Sequence, residues 1–355
     1  MKIIVCPDSF KGTMTAPQAA RAIADGIRSA AACRSLPSSG GGIVLLPVGD
    51  GGEGTVDALC AALPDVETVS CDTMDPLRRH IVARYAVSEG KTALIESAAA
   101  SGLTLVGKAE RNIMISDTYG TGLLIADAFR RGIRDFIICM GGTATCDGGY
   151  GAFEAMKGTP GLREAKFTLL CDVDNPLCGP AGAAAVFGPQ KGAAPEQIPL
   201  LDRRLRQLAL LYGLPAESLE YAGAAGGLAG MLMACYGATP VSGIAKVLEM
   251  LGFEKHLEEA DLVITGEGRA DATTLSGKAA KGILDIAGRH GVPVALVAGC
   301  VRDIELLREA GFSYVAQATP SNPDPLISPA EYLKTATAEM LRNLESYNDG
   351  PGRAG

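Results

Sequence analysis

Short apolar runs recur along the chain, and most of them are followed by a glycine-rich turn and then by a stretch with helical periodicity. Apolar runs of about four to eight residues match the length of buried strands better than that of helices. Strands that alternate with helices are typical of parallel βαβ units, so the sequence predicts an α/β protein. The runs are Ile3 to Cys6, Ile43 to Leu46, Phe136 to Met140, Leu262 to Thr265 and Val292 to Ala298.

Between residues 67 and 97 the pattern changes, because apolar and polar side chains alternate there. Alternation with a period of two is typical of half-buried strands, and Ser88-Glu89-Gly90-Lys91 fits a hairpin turn. At 355 residues the chain also exceeds the usual size of one domain. We therefore predict an α/β domain formed by residues 1–66 and 240–346, an inserted α/β domain with a mixed sheet over residues 67–239, and a disordered tail over residues 347–355.

Charge and composition argue against several functional classes. Lys and Arg total 32 against 40 Asp and Glu, which gives a net charge of -8, whereas binders of nucleic acids or membrane surfaces need clustered positive charge. The N-terminal apolar run is too short for a signal peptide and no run is long enough to cross a bilayer. We therefore expect a cytoplasmic protein with no nucleic-acid or membrane partner. The 10 Cys contain no CxxC pair and there are only 3 His, so a zinc site has little support.

Glycine-rich segments with charged residues follow four of the apolar runs. In parallel α/β sheets ligands bind at the carboxyl ends of the strands, so these segments are the first candidates for a site. Each contains glycines together with a carboxylate, a cation or both, and the string D-G-G-x-G occurs at Asp50 and again at Asp147. The segments are PDSFKG from Pro7, DGGEGT from Asp50, GGTATCDGG from Gly141 and GEGRAD from Gly266.

Three further stretches contain too many special residues for plain linkers. CDVDNPL begins at Cys171, and VFGPQKGA begins at Val186. The third, GAAGGLAG from Gly223, opens a stretch that fits a buried, Met-rich helix. Backbone amides at a helix N-terminus, here including Gly226 and Gly227, could hold an anion.

Carboxylates, lysines and bare backbone amides together are what phosphoryl transfer requires. The carboxylates hold Mg²⁺, the cations and amides neutralise the phosphates, and one base accepts the proton of the acceptor. The chain contains neither GxxxxGK[ST] nor GxGxxG, and Ser276-Gly277-Lys278 matches only the end of a P-loop. Any single loop could also be structural, since Asp8 and Asp50 could equally be helix caps and the lysines ordinary solvated residues.

Taken in order, the motifs resemble those of the bacterial glycerate kinase family, of the D-glycerate 2-kinase type. The resemblance implies phosphorylation of D-glycerate by ATP with Mg²⁺, mostly to 2-phosphoglycerate. It also implies a flavodoxin-like (Rossmann-like) parallel-sheet domain built from both chain ends, with an inserted second α/β domain of mixed sheet. The motifs are PDSFKG at 7–12, DGGEGT at 50–55, GGTATCDGG at 141–149, CDVDNPLCG at 171–179, VFGPQKGA at 186–193, GAAGGLAG at 223–230 and TGEGRAD at 265–271.

From the resemblance and the chemistry of the side chains we predict roles for individual residues. Asp172 is the expected general base, although Asp8, Asp50 and Asp147 are equally able by chemistry. The catalytic residues are Asp172, Asp50, Lys11 and Arg269. The substrate- or phosphate-binding residues are Asp8, Ser9, Gly51, Gly52, Gly141, Gly142, Thr143, Lys191, Gly226, Gly227 and Lys278. The metal-binding residues are Glu53, Asp147, Glu267 and Asp271.

The chain also departs from the family pattern. Cys146 stands where the family usually has Asn, and Thr273 where it usually has Gln, so two amides that could orient substrate or nucleotide are missing. The segment from Gly151 to Leu170 is shorter than usual, which would affect a lid or a subunit contact. Two other functions stay open: a kinase of another small hydroxy acid, and a non-catalytic two-domain protein that binds small acids. A homodimer is the oligomeric state that we consider for this chain.

Overall fold

The computed structural model describes residues 1–32, 42–276 and 279–348. The chain divides into two compact units. The first unit contains Met1–Gly49, Asp57–Ala62 and Val247–Gly355, and the second unit contains Asp50–Val56 and Leu63–Lys246. Both units are α/β, as the alternation of apolar runs and helical stretches predicted.

Strands and helices alternate along most of the described chain, and short 3₁₀ turns connect several of them. The strands are β1 (Ile3–Val5), β2 (Ile43–Leu45), β3 (Val66–Met74), β4 (His80–Ser88), β5 (Thr92–Glu96), β6 (Asp135–Cys139), β7 (Lys166–Cys171), β8 (Thr239–Ser242), β9 (Leu262–Ala270), β10 (Val294–Val301) and β11 (Tyr314–Gln317). The helices are α1 (Ala16–Ala32), α2 (Thr55–Ala62), α3 (Ala98–Ser101), α4 (Tyr119–Arg130), α5 (Tyr150–Met156), α6 (Ala183–Phe187), α7 (Ile198–Tyr212), α8 (Leu228–Tyr236), α9 (Gly243–Met250), α10 (Phe253–Leu257), α11 (Ala279–Arg289), α12 (Ile304–Glu309) and α13 (Pro329–Asn348).

The sheet of the first unit is parallel throughout. Its five strands lie in the order β11-β10-β9-β1-β2, and Ile3 of β1 is in register with Ile43 of β2 and Leu262 of β9. Every residue of β1 is buried, as expected for a central strand with helices on both faces. Both chain ends contribute strands to this sheet, as predicted.

Helices α1 and α13 pack closely in the first unit. The start of α1 is fixed by a capping box, in which the Thr15 N–H donates to Gln18 Oε1 (2.9 Å) and the Gln18 N–H donates to Thr15 Oγ1 (3.4 Å). Further along α1, a Cβ on Gly26 would lie 2.5 Å from the carbonyl oxygen of Lys334 in α13. Only glycine therefore allows the two helix backbones to approach this closely.

The sheet of the second unit is mixed, as the alternating pattern predicted. Its order is β3-β4-β5-β6-β7-β8, with antiparallel pairing from β3 to β5 and parallel pairing from β5 to β8. The predicted hairpin turn joins β4 to β5, and both Glu89 and Gly90 have positive φ. Phe136 and Phe167 stack between neighbouring strands with ring centroids 4.8 Å apart, inside the buried core of this unit.

One strand is longer than the sequence indicated. The apolar run from Leu262 to Thr265 continues as strand to Ala270, with Gly266 in register with Val297 of β10. The segment predicted as a loop is therefore largely strand. Its glycines are compatible with this, because a Cβ on Gly266 would lie 2.4 Å from the carbonyl oxygen of Val297.

The observed units differ from the predicted domain bounds. Residues 240–246 belong to the second unit, because β8 pairs with β7 there. Residues 50–56 also belong to it, since the Gly141 N–H donates to the Gly51 carbonyl (3.1 Å). Helix α13 extends to Asn348, so the first two residues of the predicted tail are helical, while residues 349–355 lie outside the described residues.

Two further findings concern the helices and the cysteines. Among the described helices, none combines the length and the apolar character needed to span a membrane. Every cysteine that the structure describes is a free thiol, and six of the nine are buried. For Cys6, Cys139 and Cys171 burial raises the pKa of the thiol above its ordinary value, so these residues behave as apolar core side chains.

Candidate functional site

The second unit brings the ends of three adjacent parallel strands to one edge of its sheet. Strand β5 ends at Glu96, β6 is followed by Met140 and Gly141, and β7 is followed by Asp172. Ligands bind at such edges in parallel sheets. The predicted residues Gly141 and Asp172 are therefore neighbours in the fold, although 30 residues separate them in the chain.

The loop of residues 50–56 is folded by its own hydrogen bonds. Asp50 Oδ1 accepts a hydrogen bond from the Gly52 N–H (3.1 Å), and Thr55 Oγ1 accepts one from the Gly51 N–H (3.1 Å). Asp50 is partly exposed and Glu53 is exposed. Both carboxylates are therefore accessible to a ligand, although Glu53 Oε1 also accepts a hydrogen bond from Thr104 Oγ1 (3.2 Å).

The glycines of this loop pack against those of the loop after β6. A Cβ on Gly141 would lie 2.6 Å from the Gly52 Cα. A Cβ on Gly142, whose φ is +80°, would lie 3.2 Å from the Ala98 Cβ. Close approach of two backbones explains Gly141 and brings the predicted loops DGGEGT and GGTATC together, whereas Gly142 is explained by its positive φ.

Lys191 is a buried cation at this edge. Its side chain is 5 % exposed, and Nζ donates to Thr143 Oγ1 (3.0 Å) and to the Thr145 carbonyl (2.8 Å). Burial lowers the pKa of the amine from 10.5 to about 8. Neither partner carries a charge, so the amine is well placed to attract an anionic ligand.

Lys191 lines a cavity of about 310 Å³, the size of a small-molecule site. The cavity also reaches Asp172, Thr143, Gly141 and Gly142, so five of the predicted site residues share it. Its lining is completed by apolar and small side chains, which would limit the access of water. The other lining residues are Leu103, Met140, Cys171, Val173, Phe187, Gln190, Ala224 and Ala225.

Asp172 lies beside the DGGEGT loop as well as on the cavity. Asp50 and Asp172 both lie close to the backbone of Gly243. A Cβ on Gly243 would lie 1.9 Å from the Asp50 carbonyl oxygen and 2.9 Å from Asp172 Oδ1, so these two oxygens are near each other. Asp172 is exposed, so its carboxylate is accessible to a ligand. The structure thus brings together Asp50, Asp172 and Lys191, which the sequence separates widely.

Asp147 is held differently. It is 9 % exposed, and Oδ2 accepts hydrogen bonds from the Thr118 N–H (2.9 Å), from Thr118 Oγ1 (2.8 Å) and from the Gly151 N–H (3.0 Å). Oδ1 accepts one more from the Gly149 N–H (3.3 Å). Both oxygens are therefore occupied in tying together the starts of α4 and α5, a geometry that favours a structural role over the predicted role as a metal ligand.

The glycine-rich segment before α8 also packs against backbone. A Cβ on Gly226 would lie 2.0 Å from the Thr145 carbonyl oxygen, and one on Gly227 would lie 2.7 Å from the Gly148 Cα. The Gly148 N–H donates to the Gly226 carbonyl (3.0 Å). These contacts explain both glycines without a bound anion, whereas Ala224 and Ala225 of the same segment line the cavity.

Cys146, which stands where the family pattern has Asn, is 1 % exposed. It lies in an apolar cluster with Ile113 and Leu177, and burial is the main cause that raises the pKa of its thiol to about 11. A side chain at position 146 therefore lies in the buried core and does not line the cavity.

In the first unit, the loop PDSFKG packs onto β9. The Asp8 N–H donates to the Gly266 carbonyl (2.9 Å), and a Cβ on Gly268 would lie 3.3 Å from the backbone nitrogen of Lys11. Strand β9 carries Glu267 and Arg269 at this end. The structure therefore brings together the predicted residues Asp8, Lys11 and those of β9, with Ser9 partly exposed in the same loop.

Asp271 follows β9 and is engaged by its neighbours. Oδ1 accepts hydrogen bonds from the N–H (2.9 Å) and the hydroxyl (2.6 Å) of Thr273, and Oδ2 pairs with Arg269 Nη2 at 2.8 Å. The hydrogen bonds from Thr273 are the main cause that lowers the pKa of this carboxyl. Thr273, a departure from the family pattern, thus stabilises the ionised form of Asp271.

The predicted metal ligands do not form a cage. Within residues 1–32, 42–276 and 279–348, no three His, Cys, Asp or Glu side chains are grouped so that they could hold a metal ion. Mg²⁺ in phosphoryl-transfer enzymes usually takes one or two carboxylates and completes its shell with phosphates and water. In the second unit, the exposed carboxylate of Glu53 fits that requirement. Lys278, a predicted phosphate ligand, lies outside the described residues.

Comparison with known proteins assigns the family. A model of the glycerate kinase family matches residues 3–161 and 156–345. The chain belongs to the glycerate kinase family. It is 39% identical to a glycerate kinase from Bacillus subtilis (strain 168), over 97% of this chain and 98% of the relative. It is 37% identical to a glycerate 2-kinase from Escherichia coli (strain K12), over 85% and 86% of the two chains.

A solved structure supports the same fold. The crystal structure of a glycerate kinase 2 candidate from Salmonella typhimurium LT2 matches with a TM-score of 0.83 at 34% identity. The match covers 99% of this chain and 100% of the other. The predicted α/β architecture, with one parallel and one mixed sheet, is thereby confirmed.

The predicted short segment agrees with these comparisons. The alignment with the Bacillus subtilis glycerate kinase extends over 383 residues, more than the 355 of this chain, so the relative has residues that this member of the family lacks. The two ranges matched by the family model meet at residues 156–161. In the structure, α5 ends at Met156 and β7 begins at Lys166, leaving a short connection.

One acidic residue at this sheet edge, Glu96, was not predicted from the sequence. Glu96 ends β5, and its Oε1 accepts hydrogen bonds from the Gly54 N–H (3.0 Å) and the Val56 N–H (2.8 Å). The signal was present, because Glu96 follows the apolar residues Leu94 and Ile95 at a strand end. No glycine-rich turn follows Glu96, so the pattern that indicated the other strand-end residues is absent there.

Proposed function

We propose that the protein is a glycerate kinase that transfers the terminal phosphoryl group of ATP, with Mg²⁺, to the 2-hydroxyl of D-glycerate. The observation that carries the proposal is the buried amine of Lys191, which shares a cavity with Asp172 at the ends of β6 and β7. The cavity has room for a small hydroxy acid, with a cation for its carboxylate and a base for its hydroxyl. Membership of the glycerate kinase family supports the same substrate.

The residues of the second unit suit the acceptor half of the reaction. Lys191 and Thr143 would bind the carboxylate of glycerate, since their polar atoms already lie 3.0 Å apart on the cavity wall. Asp172 would accept the proton as the hydroxyl oxygen attacks phosphorus, and Asp50 would orient the hydroxyl groups. A general base of this kind contributes about 10²- to 10⁴-fold to the rate.

Phosphate and metal binding are assigned by chemistry. Lys11, Arg269 and Lys278 remain the proposed phosphate-binding residues, because phosphoryl transfer needs cations to neutralise the phosphates. Glu53, Glu267 and Asp271 are the proposed Mg²⁺ ligands, and Asp147 is no longer among them. When bound, Mg²⁺ would neutralise charge that develops on the phosphate oxygens.

Phosphorus NMR of the product tests the proposal. Purified protein is incubated with ATP, Mg²⁺ and D-glycerate, and parallel reactions contain L-glycerate, tartronate or no acceptor. We expect a 2-phosphoglycerate signal, and we expect the Asp172→Asn variant to lose turnover on the order of 100-fold while its ATP affinity is unchanged. Wild-type turnover in that variant would refute the role of Asp172.

The remaining outcomes separate the alternatives. A 3-phosphoglycerate signal would keep the kinase and overturn the position of transfer. Phosphorylation of another hydroxy acid in preference to glycerate would favour the first alternative. Binding of glycerate without any consumption of ATP would favour the second, the non-catalytic small-acid-binding protein.

A further inference from the structure

Glu96 lies at the end of β5 and is partly buried. Strand β5 pairs in parallel with β6, and Glu96 is in register with Cys139. The residue therefore stands at the same sheet edge as the cavity, on a rigid central strand. Its carboxylate is aimed at the DGGEGT loop, because both of the hydrogen bonds given above go to that loop.

The two hydrogen bonds fall where the loop turns into α2. The helix begins at Thr55, and the first N–H groups of any helix have no partner inside it. Glu96 Oε1 receives the N–H of Gly54 and that of Val56, so one oxygen satisfies two of these groups from 42 and 40 residues away. A carboxylate also suits this position because the N-terminus of a helix carries partial positive charge.

The loop needs such an anchor. Gly51 and Gly54 have φ values of +97° and +92°, and glycine samples many other conformations when nothing restrains it. Glu53 lies between Gly51 and Gly54 and Asp50 directly precedes Gly51. The carbonyl of Asp50 approaches the same backbone position, Gly243, as Asp172 Oδ1. A loop that moved would carry Asp50 away from Asp172.

We infer that Glu96 is a positioning residue for phosphoryl transfer: it clamps the Gly54 and Val56 amides and so holds Asp50 in place beside Asp172 and fixes the position of Glu53. The inference rests on the proposed kinase function. It assigns to Glu96 no contact with the substrate. Glu96 acts through the backbone of the loop. Its loss should therefore lower turnover, and only a side chain that accepts hydrogen bonds should be able to replace it.

The test compares Glu96→Ala, Glu96→Gln and a control, Glu67→Ala, which removes an exposed carboxylate of β3. Amide hydrogen exchange of Gly54 and Val56, followed by NMR, reads the clamp directly, and steady-state kinetics read its consequence. In Glu96→Ala we expect fast exchange at both amides and a fall in kcat on the order of 100-fold. Glu96→Gln keeps an acceptor oxygen, so it should retain protection and lose about fivefold or less.

Several results would overturn the inference. Unchanged exchange of Gly54 and Val56 in Glu96→Ala would show that the clamp does not form. Fast exchange with unchanged kcat would show that the clamp does not position the site, and equal losses in the Ala and Gln variants would assign the effect to charge. A wild-type protein without kinase activity would refute the proposed function, while the exchange rates would still show whether the clamp exists.

Discussion

The string D-G-G-x-G occurs twice in the second unit and does two different things. At Asp50 it forms a loop whose carboxylate is partly exposed and accepts one local hydrogen bond, from the Gly52 N–H. At Asp147 the carboxylate is 9 % exposed and accepts four hydrogen bonds, three of them from backbone amides. The first carboxylate is available to a ligand, and the second holds the starts of two helices.

The difference comes from what surrounds each string. Asp147 is followed directly by α5 and meets Thr118 at the start of α4, so the orphan amides of helix starts surround its carboxylate. The helix after Asp50 begins only at Thr55, and its first amides go to Glu96 instead. The same five-residue string therefore leaves one aspartate accessible to a ligand and buries the other, and the two strings differ in the position of the next helix.

The largest expected effect concerns the exposed member of the pair. Asp50→Asn should reduce kcat on the order of 100-fold, because the hydrogen bonds by which this carboxylate is proposed to orient the glycerate hydroxyls are charge-assisted and weaken with a neutral amide. Its free energy of unfolding should change by about 0.5 kcal/mol or less, as for other partly exposed substitutions. Steady-state kinetics and urea denaturation of the same preparation check both halves, and a stability loss as large as the activity loss would break the comparison.

The buried member should behave in the opposite way. Asp147→Ala leaves the buried amides of Gly149 and Gly151, and both groups of Thr118, without their acceptor. We expect a loss of about 3 kcal/mol in the free energy of unfolding, measured by urea denaturation with Asp50→Asn as the matched control. A fully stable Asp147→Ala protein that needed a much higher Mg²⁺ concentration for turnover would restore the metal-ligand role.

The buried amine of Lys191 predicts a pH dependence of catalysis. Because burial lowers its pKa to about 8, the amine is charged below that pH and loses its charge as the pH rises through it. The kcat/KM for glycerate should therefore be level below pH 8 and fall about tenfold per pH unit above it. In Lys191→Arg the guanidinium keeps its charge, so any residual activity should lack this decline, and the same decline there would exclude Lys191 as its source.

The smallest expected effect is a difference in the pH dependence of stability. Burial raises the pKa of Asp147 above its ordinary value of 3.8, so on acidification the folded state takes up a proton before the unfolded state does. In that window, above pH 3.8, this group makes the protein more stable as the pH falls. The stability difference between wild type and Asp147→Asn should shift accordingly between pH 7 and pH 4, and a parallel pair of curves would contradict the raised pKa.

Much of the fold could be predicted from the sequence, because apolar runs and alternation report directly on strands. The mixed sheet, the hairpin at Glu89 and Gly90 and the use of both chain ends follow from such local patterns. The length of β9 did not, since its glycines suggest a loop and only pairing with β10 makes them strand.

The site could be predicted only in part. Glycine and carboxylate at a strand end led to Asp50, and the family resemblance led to Asp172; the structure brings the two together. A glycine that admits a ligand, however, looks the same in sequence as one that admits another backbone. Gly226 and Gly227 belong to the second kind. Glu96 was missed for a related reason, because its partners lie 42 and 40 residues away in the chain.

The central claim is that the cavity of the second unit binds glycerate through Lys191. Isothermal titration of D-glycerate into the wild-type protein and into Lys191→Met, without nucleotide, tests it most directly, with thermal denaturation showing that both proteins are folded. The account predicts binding by the wild type and at least about tenfold weaker binding by the variant, as expected when a charged partner is lost. Equal affinities in two equally folded proteins would contradict it.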